Sequence, residues 1–416
     1  MFTLLFIAFL LVDIGLRTWM SMRQIRYVRR HRNEVPTEFL GRIGLASHQR
    51  AADYTHAKVQ LALLESFTEA AVLVALTLLG GLQFLDTQMA RLIDHELLRQ
   101  LALIGSVLLI ISVIGLPFTL WRKFKLEERF GFNRVTPALF CADTIKGALL
   151  LIILGGPLAA LVLWVMGSAG PAWVWWAWLI WVVFNIFILW LFPTAIAPLF
   201  NKFKPLDNPE IAQRIQTLAQ RCGFSLSGLF VMDGSKRSAH GNAYFTGFGK
   251  ARRIVFFDTL LARLNTDEIE AVLAHELGHF KHRHIIKRMV ISLVLALVFL
   301  LALGWLSQQI WFYTELGVIP QLGRPNDGLA LILFFLVMPV FTFWATPLAA
   351  WFSRRDEFQA DDYAAKQCSP AALVNALVKL YDDNAATLTP DPLHSAYYDS
   401  HPPAVLRIQN LKKHGS

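Results

Sequence analysis

The chain has 416 residues, 55% of them hydrophobic and only 17% charged, with a mean hydropathy of +0.46. Globular chains are about 45–50% apolar and about 25% charged, so this balance excludes a disordered, fibrous or wholly soluble protein. The net charge of +9 is read as belonging to a lipid membrane and not to nucleic acid, because membrane proteins gather basic residues on their cytoplasmic side.

A bilayer core about 30 Å thick requires roughly 20 mostly apolar residues per helix. Seven stretches meet this, at about 2–20, 64–85, 101–121, 147–167, 173–199, 287–308 and 328–352. The first lacks a basic leader and a small-residue cleavage site, so it reads as an uncleaved anchor. Within it Asp13 and Arg17 stand one helical turn apart and are expected to pair. Glu69 would be costly against lipid and is expected to face an interior or a partner. Cys141, Cys222 and Cys368 are too scattered for a disulfide framework or a thiolate zinc cluster. They are expected to stay reduced.

Of the 39 Lys and Arg residues, only Arg91, Arg99 and Arg324 fall in the loops after the second and sixth spans. The rest lie at the opposite face, led by Arg23, Arg26, Arg29, Arg30 and Arg32. This asymmetry predicts an N-terminus outside and a C-terminus in the cytosol, in a bacterial inner membrane or an ER membrane depending on the host.

Four regions follow: five spans over 1–199, a polar insertion over 200–286, two spans over 287–352 and a polar tail over 353–416. In the insertion, Asn208 caps a helix with Pro209 in its first turn, ending near Gly223. Strand-like runs follow at 229–232, 242–245 and 254–257. A second helix starts at Asn265-Thr266 with Glu268 placed for a capping box. Ile269, Val272, Leu273, Leu277 and Phe280 form its apolar stripe, so the insertion reads as a small α+β unit.

This second helix carries His275-Glu276-Leu277-Gly278-His279, an H-E-x-x-H. Four residues turn a helix through about 400°, so both imidazoles leave one face about a turn apart. That suits two nitrogens about 2.1 Å from one zinc, with Glu276 near enough to take a proton from water without being a ligand. The alternative is an ordinary polar helix face. His282 continues the stripe but stands about 10.5 Å from His275 along an unbroken helix. It and His284 are therefore assigned to the basic rim of the sixth span. Glu357 and Asp361, one turn apart beyond the seventh span, offer a better third ligand. One carboxylate would bind the metal and the other hold a ligand imidazole. The competing reading is a charged flank that anchors a helix at the headgroups.

These motifs resemble the type I CAAX prenyl endopeptidases, seven-span zinc metalloproteases of the membrane. Further stretches carry the resemblance: Glu127-Glu128-Arg129-Phe130-Gly131-Phe132-Asn133-Arg134, Asn242-Ala243-Tyr244-Phe245, Arg253-Ile254-Val255-Phe256-Phe257-Asp258-Thr259-Leu260-Leu261, and Ser400-His401-Pro402-Pro403 with Arg407. The resemblance implies one Zn2+ per chain, with His275, His279 and Glu357 as ligands, Glu276 as general base and Asp361 behind a ligand. It implies that His401 and Arg407 face the reacting carbonyl and that Asn242, Ala243 and Tyr244 form the strand bordering the substrate. Gly241 stands where the family often has Ser, and a local adjustment is expected there.

The implied fold is an α-helical polytopic membrane protein. Seven transmembrane helices would enclose an intramembrane chamber, capped by a cytosolic α+β zincin-like metalloprotease domain. The implied activity is hydrolysis of peptide bonds in prenylated CAAX-type or other membrane-associated proteins. A quality-control protease of misfolded or stalled membrane proteins would use the same residues. A transporter or channel would leave the H-E-x-x-H and Glu357 unexplained. Loss of His401 or Arg407 is expected to lower turnover while leaving folding and zinc content intact.

Overall fold

A computed structural model of the protein describes residues 1–246, 253–321 and 323–414. Among these, seven helices are long and apolar enough to cross a bilayer: Phe2–Arg30, Leu45–Leu76, Glu96–Glu127, Pro137–Ser168, Gly170–Phe200, His284–Leu306 and Asp327–Gln367. The number agrees with the sequence reading, but several boundaries do not. The second span starts at Leu45, well before its apolar run, and ends at Leu76. There the chain turns through Gly80 at φ +78° into a separate helix, Gly81–Leu92. The fourth starts at Pro137, with the Thr136 side chain capping it. The seventh continues past its apolar stretch to Gln367, tightening to a 3-10 turn at Phe343–Ala345 just ahead of Pro347.

Each span packs on the next in sequence, and the seventh packs on the first, third, fourth and sixth, so the spans close into a ring. A solid bundle buries one face of every helix. Here six of the seven spans bury no more than 17% of their apolar windows, and Pro137–Leu150 buries no residue at all. The shared core of Phe6, Leu103, Leu163, Leu303 and Leu333 sits at one end. At that same end the N-terminal ammonium lies 2.7 Å from Glu315. The spans therefore form a cup, closed at the end that carries the N-terminus. Asp13 and Arg17 pair at 2.9 Å, and Glu69 lines a cavity with them between the first, second, third and seventh spans.

The other end carries an α+β unit. Strands β1 (Phe203–Pro205), β2 (Gly228–Met232), β3 (Ala243–Thr246) and β4 (Arg253–Phe257) form a sheet in the order β1-β2-β4-β3. Only β2 and β4 are parallel. β1 is three residues long, too short to leave an alternating pattern. Helix α1 (Pro209–Arg221) is capped by Asn208, and α2 (Thr266–Lys281) has the expected capping box between Asn265 and Glu268. Helices α3 (Pro370–Asp383) and α4 (Ala404–Lys412) complete it. Ile215, Ile254, Leu273 and Leu277 share one core with Leu373, Leu377 and Ile408 from the tail, and with Phe39 and Ile43 from the loop after the first span. The insertion and the tail thus fold as one body.

Candidate active site

Helix α2 lies along the end of the seventh span. A Cβ at Gly278 would come within 2.9 Å of the Ala360 Cα, and Ala360 is fully buried. Two small residues at the crossing bring the helices close enough for Glu357 and Asp361 to reach the histidines. The Nε2 atoms of His275 and His279 are 3.3 Å apart. Glu357 places Oε2 3.4 Å from His275 Nε2 and Oε1 3.3 Å from His279 Nε2. Ligand atoms about 2.0–2.1 Å from one tetrahedral zinc stand about 3.3–3.4 Å apart, so the triangle matches that spacing. Glu357 Oε2 is buried with no hydrogen-bond donor. An unpaired buried carboxylate oxygen is costly, and a cation between the three groups removes that cost. The residues fit a zinc ion.

The outer nitrogens are held as well. His275 Nδ1 is 2.8 Å from Asp361 Oδ1. Arg407 grips the same carboxylate in a fork, Nε donating to Oδ2 at 2.8 Å and Nη2 to Oδ1 at 2.6 Å. Its Nη1 lies 3.8 Å from Glu357. Burial opposes charge on Arg407, but Asp361 and Glu357 prevail and raise its pKa further, so it stays cationic. Burial likewise works against a proton on His275, yet Asp361 and Glu357 lift its pKa to about 9.

His279 Nδ1 is 2.9 Å from His284 Nδ1, and His284 Nε2 is 3.0 Å from Gln359 Oε1. His284 is buried and no rim residue, which corrects the sequence reading. Helix α2 stops at Lys281 and Arg283 takes a left-handed φ of +56°, swinging His284 back against His279. No Gly or Pro announces that break, and only the recurrence of His five residues after His279 hinted at it. His282 stacks on His284 and makes no contact with the triangle.

Glu276 opens onto a cavity of about 130 Å³ that Asn242, Ala243 and His401 also line. Burial pushes its carboxyl pKa up, partly offset by His275 and His279. A raised value suits a base working near neutral pH. His401 is 63% exposed, its Nε2 3.5 Å from Glu357. β3 is an edge strand, paired on one side to β4. Because side chains alternate along a strand, Tyr244 faces away from the cavity and lines a separate one with Pro193, Phe203 and Phe230. A Cβ at Gly241 would meet Leu260 in ordinary contact at 3.4 Å.

Two family models divide the chain. One, described as CAAX prenyl protease N-terminal, five membrane helices, matches residues 24–202, and the model of peptidase family M48 matches residues 205–414. The chain belongs to peptidase family M48. The CAAX prenyl protease 1 homolog of Arabidopsis thaliana is 32% identical to this M48 peptidase over 97% of the chain and 96% of the relative. CAAX prenyl protease 1 of Saccharomyces cerevisiae is 34% identical over 75% of the chain and 72% of that protein. The crystal structure of S. mikatae Ste24p aligns with a TM-score of 0.91 at 29% identity, covering 99% of both chains. This M48 peptidase is a multi-pass membrane metalloendopeptidase with a zincin-like catalytic domain.

Proposed function

We propose that the enzyme is zinc-dependent and hydrolyses peptide bonds of prenylated CAAX-type proteins delivered from the membrane. The observation that carries the metal is the triangle of His275, His279 and Glu357 around an orphaned carboxylate oxygen. The substrate class follows the names of relatives that match nearly the whole chain. Bound zinc supplies Lewis acidity, lowering the pKa of water toward about 7 and polarising a carbonyl.

The chain's own residues do the rest. Asp361 accepts the Nδ1 proton of His275, which turns the Nε2 lone pair inward, and Arg407 holds Asp361 in place. Glu276 takes the proton of the attacking water and returns it to the departing amine. His401 and Nη1 of Arg407 stabilise the negative charge that develops on the carbonyl oxygen. The peptide lies extended along β3, whose free edge pairs with any backbone, while side-chain pockets select the sequence. The excess of basic residues on this face supports a cytosolic position for the site.

The test compares the wild type with Glu276→Gln on a peptide ending in a prenylated cysteine motif, on its unprenylated form, and on an unrelated unfolded membrane segment. Glu276→Gln should keep one zinc per chain while cleavage falls by about 10²–10⁴-fold. Full activity in that variant would sink the mechanism. Equal cleavage of all three substrates by the wild type would favour membrane-protein quality control with the same active site.

A further inference from the structure

The stretch from Glu127 to Arg134 takes no part in the histidine-carboxylate cluster, yet its side chains converge on the approach to β3. Glu127 ends the third span in a π-helical turn, Arg122–Glu127. Its Oε1 accepts the Tyr54 hydroxyl of the second span at 2.6 Å, and its Oε2 lies 3.9 Å from His240 Nε2. The chain then folds back through Gly131 at φ +77°, with the Phe132 N–H donating to the Glu127 carbonyl at 2.8 Å. Phe132, only 2% exposed, stacks on His240 with centroids 4.5 Å apart and planes at 24°. Its carbonyl accepts the Ala239 N–H at 3.3 Å, and Asn133 bridges Ser238. From the other side, the Thr259 hydroxyl donates to the His240 carbonyl at 2.9 Å, and His240 Nδ1 is 2.8 Å from Asn384 Oδ1.

Two and three residues beyond His240, Asn242 and Ala243 border the cavity that holds Glu276. An edge strand has a ladder on one side alone, so its placement depends on what fixes its ends. We infer that Glu127, Phe132 and His240 form a clasp through which the membrane wall positions the substrate-binding strand. They are positioning residues for the substrate. The metal triangle stands on α2 and the seventh span, so the clasp can loosen without disturbing it. This inference rests on reading β3 as the substrate strand.

The experiment measures zinc content, melting, KM and kcat for the same prenylated peptide. Peptide Kd is measured in a Glu276→Gln background, where binding is read without cleavage. Phe132→Ala should raise KM and Kd by about tenfold with one zinc per chain retained, the scale of one lost aromatic pair. Phe132→Tyr, which keeps the stack, should restore both. Glu127→Gln and His240→Gln should each raise Kd, and the double variant should be no worse than the weaker-binding single one. A folded, zinc-loaded Phe132→Ala enzyme with unchanged KM and Kd overturns the clasp. If that variant fails to fold, the Glu127–His240 cycle decides, and additive effects overturn it. A wild type that binds the peptide and zinc but cleaves nothing refutes the proposed function alone, since the Kd measurements still judge the clasp.

Discussion

Arg407 and His401 sit in different surroundings, and their loss should have different consequences. Arg407 donates twice to Asp361, which is fully buried. Arg407→Ala strands that carboxylate, and breaking a buried pair costs about 3–5 kcal/mol. Its melting temperature and zinc affinity should therefore both fall, where sequence reasoning expected both to survive. His401 is 63% exposed, and its Nδ1 meets the hydroxyl of its chain neighbour Ser400 at 3.0 Å. His401→Ala should melt near the wild type with full zinc, while kcat falls about 10²–10³-fold and KM barely moves. Equal melting losses in the two variants would refute this division. His275 makes a further prediction. With its metal-free pKa at about 9, it carries a proton at pH 7 that zinc must displace, so zinc uptake at pH 7 should release a proton. Calorimetry in buffers of different ionisation enthalpy reads this directly, and proton-neutral uptake at pH 7 would contradict it. The histidine spacing was plain in the sequence. The Arg407 fork was not, because it joins residues 46 positions apart on two helices.

At the scale of elements, the decisive contact is the crossing of α2 with the seventh span. Gly278 sits inside the H-E-x-x-H, and its missing Cβ leaves room for the Ala360 backbone. Gly278→Ala must push the helices apart, which moves Glu357 and Asp361 off the imidazoles without altering any candidate ligand. Zinc affinity should weaken by about 10–100-fold, the scale of losing ligand-orienting contacts, with the spans still folded. Unchanged affinity in a chelator competition would show that the crossing tolerates the methyl group. Local signals predicted α1, the capping box and three of the four strands because caps, turns and alternation are written within a few residues. Hydropathy ends the seventh span near residue 352 because it follows lipid contact, whereas the helix itself runs on to Gln367. Helical continuity follows propensity and the absence of a breaker, and none comes between Pro347 and Pro370. The second span fails in the opposite sense, since its apolar run continues to residue 85 while the helix breaks at Thr77.

At the scale of the molecule, the ring closes between the first and seventh spans, the most distant pair in sequence. No local pattern encodes that contact, although the count of spans was legible. Closure places one packed core at the N-terminal end and leaves the other half of the cup open beneath the catalytic unit. The pairing of the N-terminal ammonium with Glu315 fixes the N-terminus on the same face as the loop after the sixth span. The catalytic unit then lies on the opposite face, and the gathering of basic residues there predicts that this face is the cytosolic one. Single cysteines at exposed Arg324 and exposed Glu210, in a chain whose three native cysteines are replaced, test this in sealed vesicles. With the cytosolic face inside, an impermeant maleimide should label Arg324→Cys at once and Glu210→Cys only after permeabilisation. Inverted vesicles should give the reverse. Labelling of both from one side would break the seven-span ring, and the reversed order in both preparations would keep the ring but put the active site outside the cytosol.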